Sequence, residues 1–191
     1  MTENISVQRA NAFHSFGELS PSEHIAQFYE HDQELVDTLI HFIGGALSDG
    51  ESAIVIATKP HLAALEQALQ DSRVDVADAL IQGRYIALLA DEALRHFMVN
   101  RWPDERLFTD FVTKLITRAR ANGRRVRAFG EMVALLWSRG DGAATLRLEE
   151  LWQQLCKVEE FALFCAYPKA GFTEKSRESI HDICVTHSKV I

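Results

Sequence analysis

Titratable and polar side chains follow the strand-like segments of this sequence, where the chain turns toward the next helix. The carboxyl ends of parallel strands meet at one edge of a sheet, and open α/β sheets bind their ligands in the crevice there. Imidazole, phenol, hydroxyl and carboxylate groups at this edge could hold a small polar ligand. The residues that we expect to bind such a ligand, including His24 as a pH-sensitive contact, are His24, Tyr29, His31, Thr58, His61, Glu131, Met132 and Tyr167.

The segment Phe129-Gly130-Glu131-Met132 is the sharpest local feature of the sequence. A glycine directly after a strand allows another group to approach the backbone closely. Glu131 would then project into the crevice as a hydrogen-bond acceptor, or as a base if its pKa were raised. A tight turn with an acid at a helix N-terminus accounts for the same residues equally well.

The first strand-to-helix turn disfavours nucleoside-triphosphate hydrolysis. A phosphate loop needs glycines that expose backbone N–H groups, followed by a lysine and a serine or threonine. Residues 29–34 read Tyr-Glu-His-Asp-Gln-Glu, and their carboxylates would repel a triphosphate. We therefore expect neither enzymatic activity nor a cofactor. A residual or repurposed hydrolase that uses Glu131 and His24 is the alternative.

The cysteines and histidines offer no familiar metal or nucleophile motif. The three cysteines include no CxxC pair. His181, Cys184 and His187 are spaced by three, but this is not a standard structural zinc pattern and a fourth ligand is not evident. We expect core or surface histidines and no metal. Cys165 lies within an apolar strand-like run and is expected to be buried and unreactive.

The elements that must position these residues alternate between strand and helix. Runs such as Ser52 to Thr58 are continuously apolar or β-branched, which is typical of strands buried on both faces of a parallel sheet. Residues 32–47 carry apolar side chains at helical spacing, with Gly44-Gly45 and Gly50 as stop signals. The pattern predicts an α/β fold in three layers, with a mainly parallel sheet flanked by helices. Residues 1–20 are predicted to be a flexible arm and residues 21–191 a single domain.

Composition limits the classes of partner. The formal net charge is −7, which disfavours general nucleic-acid binding. No apolar run reaches the length of a membrane span, and the N-terminus lacks the apolar core of a signal peptide. Unpaired cysteines indicate a reducing compartment. We expect a cytoplasmic protein.

Several stretches resemble the MEDS family, the DcmR-like sensory domain of methanogens and methylotrophs. The resemblance spans about residues 20–191, and the run from Phe129 to Trp137 is its most specific part. The matching stretches are His24-x-x-x-Phe28-Tyr29, residues 45–58, Arg101-Trp102-Pro103-Asp104, residues 127–137, Leu148-Glu-Glu-Leu-Trp152 and Cys165-Ala-Tyr167.

This resemblance implies a RecA/KaiC-like core without a functional phosphate loop, and a role in signal transduction. It implies a non-catalytic sensory domain that binds a small organic ligand, a signalling partner such as a histidine kinase or regulator, or both. We expect no kinase or helix-turn-helix output within these residues, and therefore action through a partner or by homo-oligomerisation. A pure protein-interaction adaptor, using helix faces around Trp102 or Trp152, is a further alternative.

Overall fold

A computed structural model describes residue 16, residues 19–171 and residues 177–191 of the chain. Six strands form one sheet in the order β3-β2-β6-β7-β1-β8, and every neighbouring pair is parallel. Two further strands, β4 and β5, pair antiparallel with each other. In chain order the strands are β1 (His24–Tyr29), β2 (Ser52–Ala57), β3 (Tyr85–Leu89), β4 (Met98–Val99), β5 (Trp102–Pro103), β6 (Val126–Gly130), β7 (Ala162–Pro168) and β8 (Lys189–Val190).

Helices connect these strands and cover both faces of the sheet. Short 3-10 turns lie at Ala121–Gly123 and Lys169–Gly171. The helices are α1 (Asp32–Leu39), a π-helical stretch (Ile40–Gly44), α2 (Gly45–Ser48), α3 (Lys59–Asp71), α4 (Val76–Ile81), α5 (Ala90–Arg95), α6 (Glu105–Ala119), α7 (Met132–Ser138), α8 (Gly142–Glu159) and α9 (Arg177–Thr186).

The sheet separates two apolar cores, which makes the fold three-layered. Side chains alternate between the faces of a strand, so neighbours such as Ile54 and Val55 of β2 enter different cores. One core lies under α1 to α4, and the other lies under α5 to α9. The predicted three-layer α/β architecture with a parallel central sheet is confirmed.

The helical segment predicted over residues 32–47 is confirmed, since helical backbone runs from Asp32 to Ser48 and passes through the paired glycines near its end. It continues through the π-helical stretch into α2 and ends before Gly50, whose φ is +77°. Gly44 lies so close to α3 that a Cβ there would sit 3.1 Å from a Leu69 methyl carbon. The carbonyl of Phe42 accepts a hydrogen bond from Nη1 of the buried Arg127 at 3.3 Å. Close packing and this guanidinium therefore explain an uninterrupted helix with a local π turn.

Two segments outside the main sheet also pack in a defined way. Trp102–Pro103 pairs with Met98–Val99 as a short antiparallel strand, although proline and the following aspartate are typical of a turn. The expected flexible arm, residues 1–20, lies mostly outside the described residues. Within it, Phe16 is buried, with its ring centroid 5.3 Å from that of Phe42 and 6.0 Å from that of Phe164. At least this part of the arm packs on the core, as its aromatic character suggested.

Candidate functional site at the carboxyl edge of the sheet

Glu131 lies where β6 ends and α7 begins. Its backbone N–H donates to the carbonyl of Ile56 at 2.8 Å, which ties this turn to the neighbouring strand β2. The residue is only 4% exposed. One carboxylate oxygen accepts the backbone N–H of Thr58 at 2.7 Å, and the other accepts the Thr58 hydroxyl at 3.4 Å. The carboxylate therefore joins the ends of β6 and β2.

His61 links this carboxylate to a second acid. It lies in the first turn of α3, and its Nδ1 is 2.8 Å from Oε1 of Glu131. Its Nε2 lies 3.5 Å from Oδ1 of Asp32, in the first turn of α1. The pKa of His61 is raised, chiefly by the hydrogen bond to Glu131, although burial acts in the opposite direction. The imidazole thus favours its protonated form between two carboxylates.

Tyr29 completes this arrangement at the end of β1. Its ring meets that of His61 edge-on, with the centroids 6.4 Å apart. Burial raises the pKa of the Tyr29 phenol, and the negative charges of Glu131 and Asp32 raise it further. The phenol therefore stays protonated near neutral pH. We call Glu131, Thr58, His61, Asp32 and Tyr29 the edge cluster.

The edge cluster is closed on one side and open on the other. Glu131, His61 and Tyr29 are buried, whereas the side chain of Asp32 is 76% exposed. Both oxygens of Glu131 already accept hydrogen bonds, so this carboxylate is a structural acceptor as it stands. Solvent reaches the cluster from the side of Asp32.

Gly130 does not serve a close approach by a ligand. A Cβ at this position would lie 3.7 to 3.9 Å from atoms of the Trp152 indole, which is ordinary van der Waals contact. The neighbour that faces Gly130 is thus part of the apolar core.

The other residues expected at the site lie elsewhere. His31 precedes α1, is exposed, and makes no side-chain cap hydrogen bond. Met132 is fully buried in the apolar core. His24 and Tyr167 are also fully buried, and they belong to a separate group of polar side chains. The expected rim shared by His24, Tyr29 and Glu131 is therefore wrong in its inclusion of His24, which sits at the amino end of β1.

That separate group, which we call the buried cluster, lies between the sheet and α8. His24 begins β1. Cys165 and Tyr167 are two residues apart in β7, so their side chains lie on the same face of the sheet, toward α8. Glu149 projects from α8, and His187 lies between α9 and β8. All five residues of the buried cluster are at most 8% exposed.

One carboxylate organises the buried cluster. Oε2 of Glu149 lies 3.4 Å from Nε2 of His24, 3.5 Å from Nε2 of His187 and 3.8 Å from Sγ of Cys165. Tyr167 donates its hydroxyl hydrogen to the other oxygen. Burial would raise the pKa of Glu149, but the two histidines and this hydrogen bond bring it below its ordinary value. Burial raises the pKa of the Cys165 thiol, which agrees with the expectation of a buried, unreactive cysteine.

Most of the chain, including both clusters, matches a known protein family. Residues 23–188 match the family described as the methanogen/methylotroph DcmR sensory domain, MEDS. The chain belongs to the MEDS family. The match covers both clusters and confirms the resemblance drawn from the sequence. A comparison with individual curated proteins found no match. The MEDS domain is a sensory domain, which is consistent with a role in signal transduction.

Among the helices that the structure describes, none has the length and apolar character needed to cross a membrane.

Sequence reasoning missed several residues of the two clusters in this MEDS domain. Glu149 falls within the apolar stripe of α8, between the buried Thr145, Leu148 and Trp152, and a carboxylate on that face was an available signal. The spacing of His181, Cys184 and His187 was misleading, because His181 is exposed and only His187 enters the buried cluster. Asp32 was noticed only as one of several acids in its turn.

Proposed function

We propose that this MEDS domain is a non-catalytic sensor that binds a small organic ligand at the edge cluster and passes the signal to a partner. The observation that carries the proposal is the chain of contacts from Glu131 through His61 to Asp32. It joins the turn after β6, helix α3 and helix α1 through one imidazole. A ligand that competes for either contact of the imidazole would change how these elements are held together.

Of the two contacts that His61 makes with carboxylates, the one with Asp32 is the weaker and is open to solvent. Nε2 of His61 and Oδ1 of Asp32 are 3.5 Å apart, and an exposed ion pair of this kind contributes little stability. A ligand with hydrogen-bond donors can therefore replace the imidazole beside Asp32 at small cost. The carboxylates disfavour anions, so we infer a neutral or cationic ligand.

A catalytic role for Glu131 has less support. Both Glu131 oxygens accept hydrogen bonds from the protein, so a substrate proton would have to compete with the Thr58 N–H and His61 for this carboxylate. His24, its expected partner in a hydrolase, is level with Ala128 and two strands away from β6. His24 therefore lies roughly 10 Å from Glu131 along the strand direction, toward the amino ends, and about 10 Å from it across the strands. The two residues do not face one substrate.

Ligand binding can be tested by thermal unfolding. Native mass spectrometry of freshly purified protein would first report any retained small molecule and the subunit number. Amines, alcohols, carboxylates and nucleotides are then screened for stabilisation of the wild type, Glu131→Gln and Glu92→Gln. Glu92 is the matched control, because it is an exposed acid in the first turn of α5.

A ligand present at 100 times its Kd adds about 2.7 kcal/mol, or about 5–11 °C in Tm for a protein of this size. We expect such a shift in the wild type and in Glu92→Gln, and its loss in Glu131→Gln relative to that variant's own ligand-free Tm. Nucleotide turnover that disappears in Glu131→Gln would instead support a hydrolase. Stabilisation that is equal in all three proteins would place the ligand away from the edge cluster.

An adaptor role is the second candidate, and one exposed aromatic residue favours it. Trp102 is 47% exposed on the β4–β5 hairpin. Trp152, the other tryptophan considered for such a surface, is 1% exposed and unavailable. If Trp102 contacts a histidine kinase, a regulator or a second copy of this chain in the cytoplasm, Trp102→Ala should weaken that association without changing Tm. Light scattering of the purified chain tests the homo-oligomer directly.

A further inference from the structure

We propose that His24, Glu149, Cys165 and His187 form a closed binding site for one divalent zinc-class metal ion. One donor atom from each side chain lies within 4.8 Å of the other three. Two imidazoles, a thiol and a carboxylate form a donor set that suits Zn²⁺. The site is independent of the edge cluster, with which it shares no residue.

The distances between the donor atoms agree with a tetrahedron around zinc. Bonds of about 2.0–2.1 Å to nitrogen or oxygen and about 2.3 Å to sulfur give tetrahedral edges of about 3.3–3.6 Å. Nε2 of His24 is 3.4 Å from Sγ of Cys165 and 3.4 Å from Oε2 of Glu149. The edges from Oε2 to Nε2 of His187 and to Sγ of Cys165 measure 3.5 and 3.8 Å. Four of the six donor–donor separations thus lie close to those that a bound ion requires, and the other two are at most 4.8 Å.

A second set of groups holds these donors in their orientation. Nδ1 of His24 lies 2.9 Å from the side-chain amide of Gln153, and Nδ1 of His187 donates to the carbonyl of Ile183 at 2.6 Å. Tyr167 donates to the oxygen of Glu149 that faces away from the centre. Metal-binding histidines and carboxylates are regularly oriented by hydrogen bonds of this kind. Both imidazoles are therefore turned with Nε2 toward one point.

His187 gives the most direct indication of a bound cation. Its side chain is fully buried, and its Nε2 has no hydrogen-bond partner. Since Nδ1 carries the proton that is donated to Ile183, Nε2 of the neutral ring presents a lone pair. That lone pair faces the carboxylate oxygen of Glu149, which also only accepts. A metal ion between the two atoms satisfies both, because each becomes a ligand.

The composition of the site indicates a structural ion. All four positions are filled by protein, the donors are buried, and no position remains for a substrate. Zn²⁺ would displace the thiol proton of Cys165 to solvent and bind the thiolate. The ion would fasten the segment that carries His187, between α9 and β8, to β1, β7 and α8. The metal would therefore stabilise the docking of the C-terminal elements.

Metal binding can be measured on the full chain. Protein treated with a chelator under reducing conditions is checked for folding by circular dichroism and titrated with Zn²⁺ and, separately, with Co²⁺. We expect one Zn²⁺ per chain with a Kd below about 1 µM. We also expect Co²⁺ to give the charge-transfer absorption of a thiolate ligand and the visible bands of tetrahedral cobalt. A folded, metal-free chain that binds no Zn²⁺, or a Co²⁺ complex without a thiolate band, would overturn the proposal.

Two variants separate this site from other cysteines and from simple loss of folding. Cys165→Ser should abolish the thiolate band, whereas Cys184→Ser, which removes a half-buried cysteine of α9 outside the cluster, should leave it unchanged. If Cys165→Ser does not fold, Tyr167→Phe provides the second test, because it removes the hydroxyl that supports Glu149 and leaves all four donor side chains in place. It should weaken Zn²⁺ binding about 10–100-fold without changing the stoichiometry. Loss of the band in Cys184→Ser, or unchanged affinity in Tyr167→Phe, would contradict the assignment.

Discussion

Replacing Glu131 by alanine should be among the most destabilising single changes at the sheet edge. The substitution leaves the Thr58 backbone N–H and Nδ1 of His61 without an acceptor. Hydrogen bonds to charged groups contribute about 1.5–3 kcal/mol each. Because the exposed Asp32 side admits some water, we take the lower end for both bonds and expect a loss of about 3 kcal/mol.

The assay is urea unfolding, with a thermal melt as a second readout. A loss of about 3 kcal/mol corresponds to a fall of about 6–12 °C in Tm for a domain of this length. Glu131→Gln should cost less, about 1 kcal/mol, because the amide oxygen can still accept from Thr58 and a neutral His61 can accept from the amide nitrogen. Glu92→Ala, the exposed control, should stay within about 0.5 kcal/mol of the wild type. If Glu131→Ala unfolds within about 1 kcal/mol of the wild type, the hydrogen bonds of the edge cluster do not stabilise the fold as argued.

Three further outcomes follow from contacts in the described residues. Since Glu131 raises the pKa of His61, the stability from the protonated imidazole is fully present below about pH 6.5 and is lost as pH rises through the raised value. The stability gap between wild type and His61→Gln should therefore be larger at about pH 6 than at about pH 9 in urea unfolding. Arg127→Met should cost about 3 kcal/mol in the same assay, because it removes the 2.7 Å partner of the nearly buried Glu51 carboxylate and leaves it the 3.6 Å contact to the more exposed Arg125. A loss below about 1 kcal/mol would show that water or Arg125 replaces the guanidinium. Phe16→Ala should cost about 3 kcal/mol, by loss of packing on the core, and an unchanged melt would mean that this residue does not stay docked in solution.

The order of strands and helices could be predicted from the sequence because each element carries its own local signal. The bounds of β1 could be predicted, since His24–Tyr29 is a short, part apolar and part aromatic segment followed by the polar residues 30–34. The cap of α6 was also predictable, and Asp104 accepts the N–H of Leu107 at 2.9 Å. The helix over residues 32–47 was predictable from its apolar spacing, and it passes Gly44 and Gly45 because close packing on Leu69 and the guanidinium of Arg127 outweigh the local tendency of glycine to end a helix.

The candidate sites were only half predictable, since they depend on distances in space. Thr58, His61 and Glu131 converge because parallel strands place their carboxyl ends together, and this rule can be applied to a sequence. The buried cluster follows no such rule. His24 and His187 are far apart in the chain, and they meet only because β8 adds to the edge of the sheet beside β1. The spacing of residues along the sequence therefore does not predict that His24 and His187 meet.

The acidic turn after β1 and the edge cluster have one physical feature in common. Oε2 of Glu34 accepts the backbone N–H of Glu30 at 3.0 Å, just as Glu131 accepts that of Thr58. Backbone N–H groups at strand-to-helix turns are the donors that hold phosphate in nucleotide-binding folds. In this MEDS domain, carboxylates of the chain itself occupy such donors at both turns. A phosphate arriving there would have to displace an acid and then sit beside its charge, so we infer that these turns select against phosphate through occupied donors as well as through missing glycines.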